Sequence, residues 1–130
     1  MISRTAKHAL NVLRCLVRDA DRRMTVAELA QVTGIPSNYL SKVLNQLRKR
    51  DLVEGEKGWG GGFRLRPGAV DRPILDVVMI FDGPNGMRRE ECIFGLSTCD
   101  SAHPCALHQD WEKTRRAADE FLTRRRVGDL

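Results

Sequence analysis

The chain has 130 residues, with 42% hydrophobic and 30% charged positions and a formal net charge of +5. That length allows one domain, or a small domain with an appendage, and the composition excludes disordered, collagenous and membrane classes. The longest unbroken apolar run, Val77 to Phe81, is too short for a transmembrane helix or a signal-peptide core, so a cytoplasmic chain is expected.

In that compartment the four cysteines read as ligands or redox sensors rather than as disulfides. Charge is uneven along the chain. Residues 1–66 hold 13 Lys and Arg against 6 Asp and Glu, whereas residues 67–130 hold 9 against 11. A basic surplus confined to one half is the footprint of a polyanion partner.

From Arg4 to Val17, Ala6, Ala9, Leu10, Leu13, Leu16 and Val17 recur at helical spacing. Thr25-Val26-Ala27-Glu28 reads as a capping box that opens a second helix with Leu29, Ala30 and Val32, and Gly34 closes it. After the Ile35-Pro36-Ser37 turn, with Ser37 as N-cap, a third helix carries Leu40, Val43, Leu44 and Leu47 on one face and runs to about Arg50. Leu52–Glu56 and Phe63–Arg66 are extended segments around a glycine-rich tip at Lys57-Gly58-Trp59-Gly60-Gly61-Gly62. Ile74–Phe81 is a compact helix stopped by Asp82-Gly83-Pro84. The segment 85–103 shows no periodicity and reads as a loop. From Pro104 a long helix places Leu107, Trp111, Thr114, Ala118 and Phe121 on a heptad-like seam.

Two short helices joined by a turn with Gly34 match the helix-turn-helix unit, and the hairpin after them makes it winged. The outer face of the third helix presents Asn38, Tyr39, Ser41, Lys42, Asn45, Gln46 and Lys49. These side-chain types hydrogen-bond base edges and phosphates from a major groove. On the wing, Lys57, Trp59 and Arg64 are candidates to reach the DNA backbone or minor groove. The alternative is a helical hairpin with a solvated polar face. The glycine cluster is no nucleotide fingerprint, because no strand leads from it into a helix.

Cys92, Cys99 and Cys105 are spaced along the aperiodic segment, and His108 follows Cys105 by three positions. Thiolates and imidazole suit iron–sulfur clusters or zinc, and ligation would offset the entropy of ordering a long loop. If the last helix begins at Pro104, Cys105 and His108 share one face. Zinc fingers usually carry a tighter cysteine pair, and scattered reduced thiols are the alternative reading. Cys15, inside the first helix, reads as a packed small hydrophobe.

The Ser3-Arg4 start, Ser37-Asn38-Tyr39-Leu40, Leu47-Arg48-Lys49, the Gly60-Gly61-Gly62-Phe63 wing and the three spaced cysteines together resemble the Rrf2 family of bacterial regulators over nearly the whole chain. The resemblance implies a homodimer of winged helices, joined through the long C-terminal helix, whose iron–sulfur cluster controls binding to double-stranded promoter DNA at a palindromic operator. It implies Cys92, Cys99 and Cys105 as cluster ligands, with His108 where the IscR-like branch places a histidine. In this chain the first cysteine gap is one residue longer than in the best-known members. Lys7, a poor ligand, stands where the NsrR-like branch has an acidic one, with His8 beside it. The fourth ligand is therefore open between His108 and His8. Two-iron–two-sulfur and four-iron–four-sulfur forms are both open, as are zinc in place of the cluster and loss of the cluster.

The fold expected is mainly α with a small β-hairpin wing. Residues 1–72 would form a winged helix-turn-helix DNA-binding domain, and residues 73–130 a linker helix, a cysteine-containing sensor loop and a dimerisation helix. The function expected is a transcriptional regulator, not an enzyme, that senses redox, iron or nitric oxide by a cluster or by its cysteines. An iron–sulfur electron carrier would leave the basic winged unit unexplained, and metal analysis would separate a structural zinc protein.

Overall fold

The computed structural model describes residues 2–84, 92–94 and 99–130. Helix α1 (Arg4–Arg18) starts where the Ser3 hydroxyl accepts the Ala6 N–H at 3.1 Å. It buries Ala6, Ala9, Val12, Leu13 and Leu16, and Cys15, only 6% exposed, joins them as a packed side chain. Helix α2 (Val26–Thr33) opens on Thr25, whose side chain accepts the Glu28 N–H at 3.1 Å. It ends at Gly34, whose φ of 71° is the left-handed conformation that a glycine adopts without a Cβ penalty. Leu29 is buried, but Val32, expected on the same inner face, is 53% exposed. The helix has barely two turns and turns only one narrow stripe inward.

Helix α3 (Ser37–Lys49) buries Leu40, Val43, Leu44 and Leu47 as the spacing predicts. Its N-cap, however, is Pro36 and not Ser37. The Pro36 carbonyl accepts the N–H groups of Tyr39 and Leu40 at 3.0 and 2.9 Å. Ser37 is thus already helical, and its carbonyl takes the Ser41 hydroxyl at 3.0 Å.

Strands β1 (Val53–Glu56) and β2 (Gly62–Leu65) pair antiparallel, with Glu54 opposite Arg64 and Gly55 opposite Phe63. Met24 docks on the far side of β2: its N–H donates to the Phe63 carbonyl at 2.8 Å and its carbonyl accepts the Phe63 N–H at 2.7 Å. This crossing ties the wing to the turn before α2. It also explains Gly62, whose φ is +121° and where a Cβ would lie 2.6 Å from the Met24 carbonyl oxygen.

Helix α4 (Ile74–Asp82) packs on α1, and helix α5 (His108–Arg124) packs on α4. The spacing predicts the last helix from Pro104. Instead the chain turns at Asp100, which accepts the His103 N–H on its carbonyl and the Ala102 N–H on its carboxylate. The first helical bond is that of the Trp111 N–H to Leu107, at 3.0 Å. Local side-chain bonding of this kind competes with a helical ladder. Of the 85–103 loop, residues 85–91 and 95–98 lie outside the described residues; those described form turns.

Past α5 the chain returns to the first half. Val127 donates to the Arg72 carbonyl at 2.9 Å, and the Arg125 carbonyl accepts the Ile74 N–H at 2.9 Å. Val77 and Val127, both fully buried, share one core with Leu13, Leu29, Leu44 and Leu52. A smaller cluster of Ile74, Val78 and Leu122 joins α4 to α5.

Gly62→Ala combines an unfavourable φ with a backbone collision, and nothing flexible can yield to it. It should destabilise the chain by about 1–3 kcal/mol or more, read as a lowered urea midpoint. A midpoint equal to wild type would contradict the tight Met24–Phe63 crossing.

Candidate nucleic-acid interface and cysteine site

Because four side chains fix the inner face of α3, helical geometry turns Asn38, Lys42, Asn45 and Lys49 directly outward. Asn38, Ser41, Lys42, Gln46 and Lys49 are exposed, and Asn45 is half-buried. The Asn45 carbonyl oxygen accepts from Arg48 at 2.8 Å, which leaves its amide NH2 pointing away from that bond. Ser41 is held by its bond to Ser37.

Tyr39 sits differently from its neighbours. It is half-buried against the core, its hydroxyl lies 2.6 Å from Thr5 Oγ1, and its ring meets His8 edge-on at 5.3 Å. It faces α1 as much as the outside. With Thr5, Lys42, Val43, Gln46, Ile80 and Phe81 it lines an open groove of about 380 Å³.

The wing presents Lys57 and a fully exposed Trp59. Arg64, directly opposite Glu54 in the hairpin register, is bound to it at 2.5 Å and so is not an unpaired cation. That bond holds the Glu54 carboxyl below its usual range, with Arg23 and Arg66 nearby adding to the effect. Arg48, on the wing-side flank of α3, borders a groove with Lys57 and Phe63. Arg48 joins the candidates on this surface: its place three positions after Asn45 puts the two on adjoining turns, a spacing legible in the sequence.

Several other cations are paired: Arg22 with Glu28, Arg23 with Glu56, Arg66 with Asp51 and Arg72 with Asp76. Lys42, Lys49 and Lys57 have no carboxylate partner among the described residues. Unpaired positive charge along a protruding helix and hairpin creates an attractive potential for a polyanion.

No disulfide joins the four cysteines. Cys99 Sγ lies 3.2 Å from His108 Nδ1, so the first turn of α5 and the segment before it bring one thiol and one imidazole together. His108 is 7% exposed. Its Nε2 makes no hydrogen bond among the described residues, and the Glu112 carboxylate stands 3.5 Å away. Cys105 is exposed, and its carbonyl accepts the His108 N–H at 3.1 Å. Cys105 thus precedes α5 rather than sharing a helical face with His108. Cys92 is half-buried. His8 stands on α1 against Tyr39.

Among the described residues no three of His, Cys, Asp or Glu are gathered closely enough to hold a metal ion. The Cys99–His108 pair nevertheless fits a soft-to-borderline metal centre in donor chemistry, with the Nδ1 of a buried imidazole facing the thiol and Nε2 turned toward Glu112. Asp100, beside Cys99, is bonded by His103 and by the Ala102 N–H, and both hold its carboxyl below the ordinary range.

On the seam of α5, Leu107 and Phe121 are about half exposed, Thr114 is exposed, and Trp111 and Ala118 are half-buried. The apolar anchor toward α4 is Leu122, one residue beyond the seam. No helix among the described residues is long and apolar enough to cross a membrane.

Comparison with known proteins agrees with this fold. The family model described as "Rrf2: Iron-dependent Transcriptional regulator" matches residues 2–130. A protein of Aquifex aeolicus named as an HTH-type transcriptional regulator is 31% identical over 132 residues, covering 100% of this chain and 90% of that one. IscR of Photobacterium profundum is 27% identical, over 92% of this chain and 67% of its own length. In fold, the chain is similar to CymR, described as the global cysteine regulator of B. subtilis, with a TM-score of 0.80 and 21% identity over 100% of this chain and 95% of that one. It is also similar to T. potens IscR, with a TM-score of 0.71 and 18% identity over 99% and 84%. These relatives are regulators rather than enzymes, and the winged-helix architecture is common to them. The chain belongs to the Rrf2 family of transcriptional regulators.

Proposed function

We propose that α3 lies in the DNA major groove and reads base edges through Asn38, Asn45 and Gln46, while Lys42, Lys49 and Arg48 meet phosphates. The wing follows the backbone or the minor groove with Lys57 and Trp59. The observation that carries this reading is the row of outward polar and basic side chains, with Lys42 and Lys49 free of carboxylate partners, on a helix whose other face is buried. Ser41 and Arg64 contribute on the same surface after releasing their present partners. Tyr39, turned to Thr5 and His8, holds the helix in place rather than contacting DNA. Residues 1–72 form the DNA-reading part, and residues 73–130 the sensing and pairing part.

The second element of the proposal is a homodimer on a palindromic operator. The half-exposed Leu107, at the N-cap of α5, and Phe121 are the apolar surface for pairing. Two-fold symmetry would then set two recognition helices one or more helical turns apart.

The third element is sensing through the cysteine segment. Cys99 and His108 would hold a cluster together with Cys92 and Cys105, and His108 is favoured over His8 as fourth ligand because of its 3.2 Å approach to Cys99. Bound there, an iron–sulfur cluster would supply a group reactive toward oxidants and nitric oxide. Without metal, the same thiols form a cysteine-based sensor. In either case the protein must distinguish two states whose DNA affinities differ by a definite free energy.

Asn45→Ala or Gln46→Ala should weaken specific binding by about 1–3 kcal/mol and spare nonspecific binding. Lys42→Ala or Lys49→Ala should weaken all duplexes and lower the slope of log affinity against log salt by about one. Full affinity in a variant lacking Asn38, Lys42, Asn45 and Gln46 together would reject α3 as the reading helix. Phe121→Glu places a charge on the pairing surface and should sediment as a monomer with poor operator binding. A wild-type monomer at micromolar concentration would refute pairing through α5. Protein purified anaerobically should contain iron and sulfide, and Cys99→Ala and His108→Ala should each lose or loosen them, whereas Cys15→Ala should not. Stoichiometric zinc without iron would replace the cluster by a structural metal, and thiols without any metal would leave the cysteine sensor.

A further inference from the structure

Two hydrogen-bonded contacts, joined by the first turn of α1, connect the end of α4, where the polypeptide enters the cysteine segment, to α3. Asp82, the last residue of α4, accepts the Ser3 N–H on Oδ2 at 2.9 Å and the Ser3 hydroxyl on Oδ1. The same hydroxyl oxygen accepts the Ala6 N–H and so caps α1. Two residues further, Thr5 Oγ1 stands 2.6 Å from the Tyr39 hydroxyl of α3. Leu40, the next residue, is fully buried in the core, so Tyr39 is tied to the least movable part of the helix.

The bonds differ in kind from ordinary surface pairs. A carboxylate that accepts two donors from one residue is charge-assisted and directional. The link joins residues 79 apart in sequence and is part-buried. Just past the two contacts, Ala6 and Ala9 of α1 are fully buried, so the first turns that carry Ser3 and Thr5 move as a packed body.

We propose that Asp82, Ser3, Thr5 and Tyr39 are positioning residues that hold the recognition helix in register with the end of α4. A displacement of that end reaches α3 through the α1 cap, and Tyr39 acts by orienting the helix rather than by reading a base. The inference rests on the proposed role of α3 in DNA reading. Both links act in series, so loss of either uncouples the ends, and loss of the second adds little.

The test uses the full chain, a duplex selected by the wild-type protein from a random-sequence pool, and an unrelated duplex of equal length. Thr5→Val, Tyr39→Phe and Asp82→Asn should each lower affinity for the selected duplex by about three- to tenfold, the range of one lost hydrogen bond, without changing binding to the unrelated duplex. Thr5→Ser, which keeps the hydroxyl, should restore wild-type binding. Asp82→Asn combined with Tyr39→Phe should be no weaker than the weaker single variant. Without DNA, Asp82→Asn should speed amide exchange at Leu40 and Ser41. If Asp82→Asn does not fold, Ser3→Ala, which keeps the Ser3 N–H bond, takes its place. Wild-type binding by Tyr39→Phe, or losses that multiply in the double variant, would overturn the relay alone. A wild-type chain that selects no duplex would contradict the DNA reading itself, and the relay with it.

Discussion

Burial of Leu40, Val43, Leu44 and Leu47 is the constraint on which the proposed interface depends, because it fixes which way every other side chain of α3 points. Truncating a buried leucine typically costs about 2–5 kcal/mol, set against a total stability of about 5–15 kcal/mol for a domain. With the inner face held that firmly, the polar face is a consequence of helix geometry. The wing obeys a similar rule: Met24 clamps Phe63 by two backbone bonds, and the hairpin tip with Lys57 and Trp59 projects beyond the clamp.

The second half of the chain is not an independent appendage in packing terms. Val77 and Val127 complete the same core as the helix-turn-helix unit, and Leu122 pins α5 to α4. The Cys99–His108 contact therefore sits at the start of a helix that is mechanically joined to α4, and α4 to α1. In such a body a change at one end is transmitted by packed helices and fixed hydrogen bonds, provided two discrete arrangements exist.

Much of the architecture is legible from local chemistry. Thr25 with Glu28, Gly34 and the leucines of α3 each have one cheap local solution, and the chain adopts it. What the residues alone do not reveal depends on distant partners or on competing local bonds. Tyr39 turns to Thr5 on α1, and Arg64 is taken by Glu54 across the hairpin. Pro104 looks like a helix start, but the Asp100 turn delays the helix to His108. Ser37 looks like a cap, but the preceding Pro36 carbonyl is already in position. Of the cysteines, spacing indicates soft ligands without indicating which meet, and the fold brings Cys99 rather than Cys105 to His108.

The most direct test of the central claim is methylation interference on the duplex selected by the wild-type protein. Methyl groups at guanine N7 project into the major groove, and those at adenine N3 into the minor groove. The account predicts interference at guanine N7 in two symmetric clusters one or more helical turns apart, with adenine N3 effects confined to the flanks where the wing lies. Interference at adenine N3 alone, or none at guanine N7 within guanine-containing half-sites, would contradict a recognition helix in the major groove.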